Sequence, residues 1–441
     1  MTAITFSGLS SGLDTTSLIN SLVAAERAPV NAITSHQSDL NTQKSIVGSL
    51  SSAVAALGTV MQGMNLTTEL QPRTVTTSDS HVTVAASAGA ASTVHDVRVQ
   101  QLARGQISSS RTFTSADAGV VGDGSLTITT GTTSKEIDYS SSDSLASIAS
   151  KINDAGAGAS ASVLFDGTSY RLMVAATATG SANAPQFTET GDALGLSDPD
   201  NIQVPAQDAK VTIDGVKDIT RSSNVISDAV SGLTFTLVSP QAATDPSTQV
   251  SVGLDTDAIT KQLNSLVSAY NSVNAALHVQ LDYTGTAKGT NTLFGDSTLR
   301  QLQGALSTVM TSAYGPNTAS ANSLGAIGLT VAKDGSLTLD SSKLSSALAT
   351  NPNAVSDLFV TGGFASAMTT MTDAYTAPVD GFLAAKTQSL TDQISGLQTQ
   401  ADQVNARADA LQTQLQNQFD ALETLMSSLK SQSSYLTSVL G

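Results

Sequence analysis

Residues 390–429 read LTDQISGLQTQADQVNARADALQTQLQNQFDALETLMSSL, and this stretch decides the fold. Apolar side chains recur in it at alternating steps of three and four residues, with Gln418 as a polar interruption. A pattern sustained beyond three or four heptads predicts a helix that packs against other helices. The row, which we name the C-terminal seam, comprises Leu383, Leu390, Ile394, Leu397, Ala401, Val404, Ala408, Leu411, Leu415, Leu422, Leu425, Leu429 and Leu436.

A second row of the same kind lies near the other end of the chain. This N-terminal seam comprises Ile33, Leu40, Val47, Leu50, Val54, Leu57, Met61 and Met64, and His36 and Gln43 interrupt it. Because both ends carry the same kind of helix, we expect the termini to pair side by side, with the middle of the chain held away from them. A polar residue such as His36 on a seam is expected to set the register of the pair.

The flanks of the C-terminal seam are almost uncharged. With Ile394 taken as heptad position a, they include Gln398, Gln400, Asn405, Gln412 and Gln414, with Arg407 as the one charge. Zippers that select one partner use ionic pairs at these positions. Phe419 and Met426 instead widen the apolar face, which indicates a helix contacted on more than one side.

The first helix is predicted to begin where Asp14 or Thr16 can cap it. Its apolar face is expected to be Leu18, Leu22 and Ala25, and Pro29 is expected to stop or kink it. The Gly- and Ser-rich segment 1–12 before it has no helical period and is predicted to be disordered when the chain is alone.

Between residues 73 and 253 the apolar period changes from helical to alternating, which is typical of strands. Asp123-Gly124, Asp166-Gly167 and Asp214-Gly215 are turn signals. One amphipathic helix is expected at 145–153. The strands are marked by Val82 and Val84, by Val94, Val97 and Val99, by Leu126 and Ile128, by Ile137 and Tyr139, by Leu172 and Val174, by Val211 and Ile213, by Phe235 and Leu237, and by Val250 and Val252.

Helical periodicity resumes after residue 258. Ile259 to Leu281 predicts one helix and Ser297 to Ala313 a second, ended by a loop at Gly315-Pro316. A hairpin is expected around the turn at Asp334-Gly335. Two short helices separated by Asn351-Pro352 follow, and the long closing helix starts after Gly381.

We therefore predict an elongated, multidomain α+β protein. Residues 1–38 and 400–441 form a terminal coiled-coil leg that is disordered until assembly, and residues 39–71 and 254–399 form a helical leg domain with a small hairpin. Residues 72–114 and 203–253 form a first antiparallel β-rich head domain, and residues 115–202 form a second one inserted in it.

Composition excludes several classes of function. The formal net charge is −16, which argues against binding nucleic acid or an anionic membrane surface. Only 4% of the 441 residues are aromatic and none is Trp, which does not favour a deep enzyme pocket. There is no cysteine, so disulfides, thiolate metal sites and Cys nucleophiles are excluded, and an unfolded exported chain would have no thiol to mispair.

No motif in the sequence predicts a catalytic or metal-binding site. Gly8 to Gly12 match a G-x-S-x-G nucleophile elbow as letters, but no strand can precede them, so a flexible tail is the interpretation. The four histidines, His36, His81, His95 and His278, are scattered. The acid pairs Asp198/Asp200 and Asp255/Asp257 lack a calcium loop, which favours turn and cap roles. We expect no catalytic, cofactor or metal site.

Membrane segments are not expected either. Residues 1–13 contain no Lys or Arg and no apolar core, which does not fit a Sec-type signal peptide. No apolar run is expected to be long enough to cross a bilayer.

Several stretches resemble the bacterial flagellar filament-capping family, also called hook-associated protein 2. Residues 11–33, SGLDTTSLINSLVAAERAPVNAI, are similar to its N-terminal region, and GDGSLTI at 122–128 with residues 148–176 behind it resembles its insertion motif. Residues 219–240 and 263–277 resemble the start of the family's C-terminal region. LTLDSSKLSSALATNPNAVSDLF at 337–359 is similar to its most recognisable stretch.

The resemblance implies a non-enzymatic protein, secreted through the flagellar type III route, that sits at the filament tip outside the cell. It implies a ring-shaped homo-oligomer, a pentamer in that family, that contacts flagellin at the filament end and uses an export chaperone. The residues that would contact other copies or the filament are Leu40, Val47, Leu50, Val54, Leu57, Met61, Ile394, Leu397, Val404, Leu411, Leu415, Phe419, Leu422, Leu425 and Leu429.

Two other functions fit the same pattern. Flagellin or a hook-filament junction subunit would share the paired terminal helices and β-rich middle. A secreted surface adhesin would bind through the acidic β domains and would not need the helices.

Overall fold

The computed structural model describes residues 14–281, 293–315 and 322–440. Its α-helices are α1 (Thr15–Gln62), α2 (Leu145–Ala155), α3 (Thr256–Leu281), α4 (Ser297–Thr311), α5 (Ser341–Thr350), α6 (Ala354–Ser356), α7 (Phe364–Thr376) and α8 (Phe382–Leu440). A π-helical turn follows α6 at Asp357–Thr361. The expected tail at 1–12, with its G-x-S-x-G letters, and the Pro316 part of the predicted loop lie outside the described residues.

The strands pair in antiparallel fashion, as predicted for the middle of the chain. They are β1 (Arg73–Thr77), β2 (Val82–Ala86), β3 (Val94–Gln101), β4 (Ile107–Ser109), β5 (Gly124–Thr130), β6 (Thr133–Tyr139), β7 (Ala159–Phe165), β8 (Tyr170–Ala176), β9 (Gln186–Gly191), β10 (Ile202–Val204), β11 (Ala209–Ile213), β12 (Val216–Arg221), β13 (Val225–Val230), β14 (Leu233–Leu237), β15 (Thr248–Leu254), β16 (Leu329–Val331) and β17 (Leu337–Leu339). The α+β class with paired terminal helices is confirmed.

The chain divides into two compact units. The terminal unit comprises residues 1–66 and 260–441, and the middle unit comprises residues 67–259. The finer division into four parts, with order at the outer helix ends only on assembly, stays a prediction.

In the terminal unit, α1 packs along α8 and α7, and α4 packs against α7 and α8. The β16–β17 hairpin is fixed to α3 by the Asn271 side chain. Its Nδ2 donates to the Leu337 carbonyl at 2.9 Å, and its Oδ1 accepts from the Leu337 amide at 2.7 Å. The predicted turn at Asp334-Gly335 joins the two strands, with Gly335 at φ +78°.

The expectation that Pro29 stops the first helix is wrong. Helix α1 runs from Thr15 through Pro29 to Gln62. An internal proline costs roughly 3 kcal/mol because it removes one hydrogen bond and crowds the preceding turn. Ile19 and Val23 before it and Leu40 after it are all buried, so packing of both halves of the helix offsets that cost.

The middle unit has two hydrophobic cores. The first lies in the five-stranded sheet β1-β15-β3-β11-β12 and the three-stranded sheet β13-β14-β2, with Phe235 and Val99 among its fully buried residues. The second lies between α2 and the sheets β10-β4-β8-β7 and β6-β5-β9, with Leu126 and Leu172 inside. The predicted pattern of valines, leucines and isoleucines therefore supplies both cores.

The chain enters and leaves the second core at one point. Arg104 and Gln207 exchange both backbone hydrogen bonds, at 2.9 and 3.1 Å. Strand β4 and Phe113 lie within the predicted first head domain. In the structure they pack in the second core. In the structure the chain therefore crosses at 104 and 207, a short distance from the predicted boundaries at 115 and 202.

One predicted turn has a different role. Asp166-Gly167 and Asp214-Gly215 lie between paired strands, as predicted, but Gly124 is the first residue of β5. A Cβ on Gly124 would lie 2.6 Å from the Thr190 carbonyl oxygen and 2.7 Å from the Tyr139 hydroxyl. This glycine is needed for close approach of neighbouring strands.

Candidate functional site: the paired terminal helices

Helices α1 and α8 lie antiparallel, with the start of α1 beside the later part of α8. Ile19 and Val23 of α1 form a buried cluster with Ala408 of α8, and Leu415 and Phe419 pack against it. The two seams of the sequence therefore meet in one chain. A cluster of this kind is stabilised by removing apolar surface from water, at roughly 25 cal/mol per Å².

Polar contacts across the pair set its register. Arg27 forms an ion pair with Asp409, and Arg407 Nε lies 3.4 Å from Glu26 Oε1. These four side chains are exposed or half-exposed, so each pair contributes at most about 1 kcal/mol. The pair thus has more charged contacts than predicted. Asp409 lies at heptad position b, outside the e and g positions that flank the seam.

A glutamine, and not the histidine, provides the register contact near the middle of α1. Gln37 Nε2 donates to the Ile394 carbonyl at 3.3 Å and to Gln398 Oε1 at 3.2 Å. His36 is exposed on α1. The expectation that His36 sets the register is therefore wrong. On α1 it is the next residue, Gln37, that faces α8.

Most of the N-terminal seam is covered within the chain. The buried members from the predicted contact set are Leu40, Val47, Leu50, Val54, Leu57 and Met61. Their packing against α7 and α8 assigns them to the core of the terminal unit. Their predicted role in contacts with other copies or the filament stays a prediction.

The C-terminal seam changes character along α8. Val404 is buried, and Ile394, Leu397, Leu411, Leu415 and Phe419 are half-buried. Leu422, Leu425 and Leu429 are exposed, Leu425 by 56%. The seam is thus covered in its first part and open in its last part.

The change occurs where α1 begins. Phe419 and Asp420 line a small cavity together with Thr15 and Ile19 of the first turns of α1. Residues 421–440 of α8, which we name the α8 overhang, continue past this point. Its exposed apolar side chains are Leu422, Leu425, Met426, Leu429, Tyr435 and Leu436.

The face predicted for the first helix is wrong. Leu18 and Leu22 are exposed by 52% and 45%, whereas Ile19 is exposed by 6%. The sequence contains two apolar stripes on this helix, one residue apart, and α8 covers the stripe of Ile19 and Val23. Leu18 and Leu22 remain as a second apolar stripe facing solvent. Of the two cap candidates, Asp14 is used, accepting from the Ser17 amide at 3.0 Å.

Sequence reasoning missed helix α7, which supports the pair. Phe364, Met368, Met371 and Tyr375 are buried and stand on one helical face. This spacing of four, three and four residues after Gly363 is a signal that could have predicted the helix. Phe364 also packs edge-on against Phe359, with ring centroids 4.8 Å apart.

An ion pair connects α4 to α8 in the same unit. Lys386 Nζ lies 2.7 Å from Asp296 Oδ2, and Asp296 caps α4 by accepting from the Thr298 and Leu299 amides. Burial of Asp296 raises its pKa, but the hydrogen bond and charge of Lys386 and the two amides outweigh burial and hold the pKa below its ordinary value. The carboxylate is charged at neutral pH and fixes the start of α4.

One hydroxyl–imidazole–carboxylate row occurs in the middle unit. His95 Nδ1 lies 2.6 Å from Asp214 Oδ2, and His95 Nε2 lies 2.9 Å from Thr93 Oγ1. Asp214 Oδ1 also accepts from the Asp96 amide at 2.9 Å, and Asp214 has φ +51°. The row holds a residue of the β11–β12 turn in the left-handed conformation, so its role is structural.

The acid pairs have the cap roles that the sequence predicts. Asp198 accepts from the Asp200 amide at 3.0 Å in a 3-10 turn, and Asp255 accepts from the Ala258 amide at 2.8 Å at the start of α3. Within residues 14–281, 293–315 and 322–440, no three His, Asp or Glu side chains come together as a metal site would require.

The expectation that no apolar run is long enough to cross a bilayer is wrong for helix α1. By length and composition it could cross a bilayer, since one 18-residue window has a mean hydropathy of 1.3. A third of that window is buried inside the chain. Its apolar residues thus have a packing role against α7 and α8, as in the core helices of soluble proteins.

Comparison with family models matches both ends of the chain. The model for the flagellar hook-associated protein 2 C-terminus matches residues 206–431, and the model for its N-terminus matches residues 11–106. Between them, residues 104–209 match the insert domain of the E217 tail sheath protein gp31.

Similar proteins cover the full chain. Flagellar hook-associated protein 2 of Escherichia coli K12 is 31% identical over 99% of this chain and 98% of its own length. The B-type protein of Pseudomonas aeruginosa is 26% identical over 98% and 97%. The crystal structure of the flagellar cap protein FliD D1-D2-D3 domains from Escherichia coli matches with a TM-score of 0.67 at 28% identity, over 78% of this chain and 99% of that one.

Proposed function

The chain belongs to the flagellar hook-associated protein 2 family, and from that premise we propose that it is the cap at the distal tip of the growing flagellar filament. In this role it is exported by the flagellar route and lies outside the cell. It promotes insertion of flagellin and prevents its loss. The family is structural, which supports a role in assembly and not in catalysis.

The α8 overhang is the observation that carries the proposal. Leu411 and Leu415 are half-buried beside α1, while Leu422, Leu425 and Leu429 continue the same heptad row in the open. A long exposed apolar row marks an interaction site, since such surface is costly in water. We assign it to the filament end, where flagellin is the partner.

The outer stripe of α1 adds to this surface. Leu18 and Leu22 face away from α8 in the first turns of α1, beside the point where the overhang begins. Both stripes are mainly apolar, although the overhang also carries Glu423 and Lys430. Neutral apolar contacts can be broken and remade on several unlike sites, because few directional ion pairs must be lost.

The assembly itself is proposed from the family likeness. We propose a ring-shaped homo-oligomer, with five subunits, and an export chaperone that binds the chain before it leaves the cell. Order in the outer parts of α1 and α8 would then increase on assembly, since ligands that bind the folded state stabilise it.

A complementation experiment tests the cap function. Leu425→Ser with Leu429→Ser removes the centre of the exposed row and changes no buried side chain. We expect an unchanged melting temperature and normal export, but short filaments and flagellin monomers in the medium of a strain that lacks its own cap protein. The matched control is Val225→Ser with Val238→Ser, two strongly exposed apolar residues of the middle unit.

Full-length filaments with the Leu425/Leu429 variant would contradict the proposal, as would an equal defect in the control. The purified protein also separates the alternatives. A flagellin would form long filaments alone, whereas a cap stops at rings. An adhesin would keep its binding activity in the Leu425/Leu429 variant.

A further inference from the structure

A cavity of about 410 Å³ lies between α3, α4 and the turn of the β16–β17 hairpin, all within the terminal unit. Its volume is within the range of pockets that hold small ligands, roughly 300–1,000 Å³. Tyr270, Leu277 and Leu306 supply buried apolar surface to it. The side chains of Arg300 and Lys333 border it and are exposed. We name this site the cationic cavity.

The charge of the cationic cavity is opposite to that of the chain as a whole. Besides Arg300 and Lys333, His278 borders it, and Asp334 is the one carboxylate among its described lining residues. Asp334 Oδ1 accepts from the Ser336 amide at 3.0 Å and from the Ser336 hydroxyl at 2.7 Å, which fixes this carboxylate in the turn. A chain with a net charge of −16 therefore presents a local site that attracts an anion.

The fold positions both cations without neutralising them. Arg300 Nη2 donates to the Gly295 carbonyl at 2.9 Å, which uses one of the N–H donors of the guanidinium group and leaves the others. Lys333 precedes a turn that α3 holds, since Asn274 Nδ2 donates to the Asp334 carbonyl at 3.3 Å. Neither cation forms an ion pair with any residue that the structure describes. Both charges are thus available to a ligand.

A glycine keeps the wall of the cavity open on α4. Arg300, Gln303, Gly304 and Ser307 lie on one face of this helix and line the cavity. Glycine inside a helix costs up to about 1 kcal/mol relative to alanine. A Cβ on Gly304 would meet no described atom within 4 Å, so packing within the chain does not require a glycine here. Its missing side chain lets the backbone of a ligand approach the helix closely.

The donors of the cavity favour a carboxylate over a phosphate. Phosphate groups commonly bind the free backbone amides at the start of a helix. At the start of α4 the Asp296 side chain already accepts from the Thr298 and Leu299 amides. Side-chain cations beside buried apolar surface instead suit a carboxylate that is attached to an aliphatic group.

The polar wall of the cavity favours a peptide. The amide of Gln303 and the hydroxyl of Ser307 can each donate and accept a hydrogen bond, as a peptide group requires. Side chains four residues apart on a helix start about 5–6 Å from each other, close to the roughly 6.6 Å between alternate residues of an extended chain.

We propose that the cationic cavity binds an extended acidic peptide segment of a partner protein. Its carboxylate meets Arg300 and Lys333, and a neighbouring aliphatic side chain covers Leu277 and Leu306. The peptide backbone passes over Gly304. This site is separate from the α8 overhang, so its failure would leave the proposed cap function intact.

Calorimetric titration of the full-length protein tests the proposal, with the blocked peptide acetyl-Ala-Leu-Asp-Leu-Ala-amide as the probe at low ionic strength. We expect this peptide to bind at least about tenfold more tightly than the same peptide with Asn in place of Asp, because a charge-assisted contact is lost.

Two pairs of variants locate the binding site. Arg300→Glu with Lys333→Glu should weaken binding at least about tenfold. The matched control, Lys261→Glu with Lys343→Glu, makes the same change in net charge at two exposed lysines of the same unit that do not line the cavity. It should bind the peptide as the natural protein does.

A steric variant tests the cavity without changing charge. Gly304→Leu should fill the opening and abolish binding, whereas Gly396→Leu, at an open glycine of α8, should not. Circular dichroism checks that each variant is folded.

Three results would overturn the proposal: no binding of the Asp peptide, equal binding of the Asp and Asn peptides, or equal affinity in the Arg300/Lys333 variant and its control. Acetate that binds as tightly as the Asp peptide would also overturn it, since the cavity would then take a small anion and not a peptide.

Discussion

Gly58 of α1 lies directly against Thr372 of α7, and a Cβ on Gly58 would come within 2.8 Å of Thr372 Oγ1. Both residues are buried. The Thr372 hydroxyl donates to the Thr369 carbonyl at 2.9 Å, so it does not rotate away without losing that bond. The glycine therefore lets α7 approach the helix whose seam it supports.

We expect Gly58→Ala to destabilise the terminal unit by about 1–3 kcal/mol. In an open helix this change would gain up to about 1 kcal/mol in helix propensity. Here the added methyl group overpacks a tight contact, which costs more than that gain. Chemical denaturation measures the change in the free energy of unfolding.

Two further variants isolate the contact. Gly48→Ala on the same helix meets nothing within 4 Å and should be neutral or stabilising. Adding Thr372→Ala to Gly58→Ala should recover part of the loss, because the nearest atom is then removed. A loss of similar size in Gly48→Ala would show that helix packing at Gly58 is not the cause.

Stability of the terminal unit should depend on pH through Asp296. Its pKa is lower in the folded state than in the unfolded state, where an aspartate titrates near 3.9. The charged Asp296 therefore stabilises the folded state when the pH is above the unfolded pKa. This stabilisation is lost as the pH falls through the folded pKa. We expect Asp296→Asn to lose about 1 kcal/mol or more at pH 7 and to flatten the fall in stability that the natural protein shows as the pH drops below about 4.

Asp228→Asn is the control for that measurement. Asp228 pairs with Arg221 at 3.0 Å, but its side chain is 63% exposed. Solvent screens such a pair, so the free energy of unfolding should change little. Equal pH profiles for Asp296→Asn and the natural protein would contradict the role of the Lys386 contact.

Substitution by serine should destabilise the α1–α8 pair at Ile19 but have little effect at Leu18. Ile19→Ser removes an apolar side chain from the α1–α8 cluster and should cost about 2–4 kcal/mol locally. Leu18→Ser changes only an exposed position and should stay within about 0.5 kcal/mol. Hydrogen exchange of the first turns of α1 measures both, and faster exchange in Leu18→Ser than in Ile19→Ser would reverse the assignment of faces.

The glutamine-rich flank of α8 should matter for filament growth. Gln400 and Gln414 are exposed, whereas Gln398 already binds Gln37. We expect Gln400→Lys with Gln414→Glu to leave folding unchanged and to shorten filaments measured after a fixed growth time. The new charges would form ion pairs with the filament end, and these pairs must break each time the cap changes its contacts there. Gln249→Lys, an exposed change in the middle unit, is the control, and normal growth with the α8 variant would contradict the idea.

The strands and most helices could be predicted because their signals are local. Val97 and Val99 alternate as a half-buried strand does, and Leu145 begins a helix that Ser144 caps. Strand β4 and helix α7 were missed for different reasons. Strand β4 contains two buried serines, whereas the apolar row of α7 is readable but short.

The sequence by itself determined that both termini are long apolar-striped helices, because a heptad repeat can be satisfied only by helix against helix. The tertiary structure decided which stripe of α1 is covered and where the seam of α8 becomes open. Those two facts depend on the register of the pair, which Gln37 and Arg27 fix through contacts with residues more than 350 positions away. Local periodicity carries no information about such distant partners, so only the folded chain distinguishes the core of the helical pair from the surface that we propose for contact with the filament.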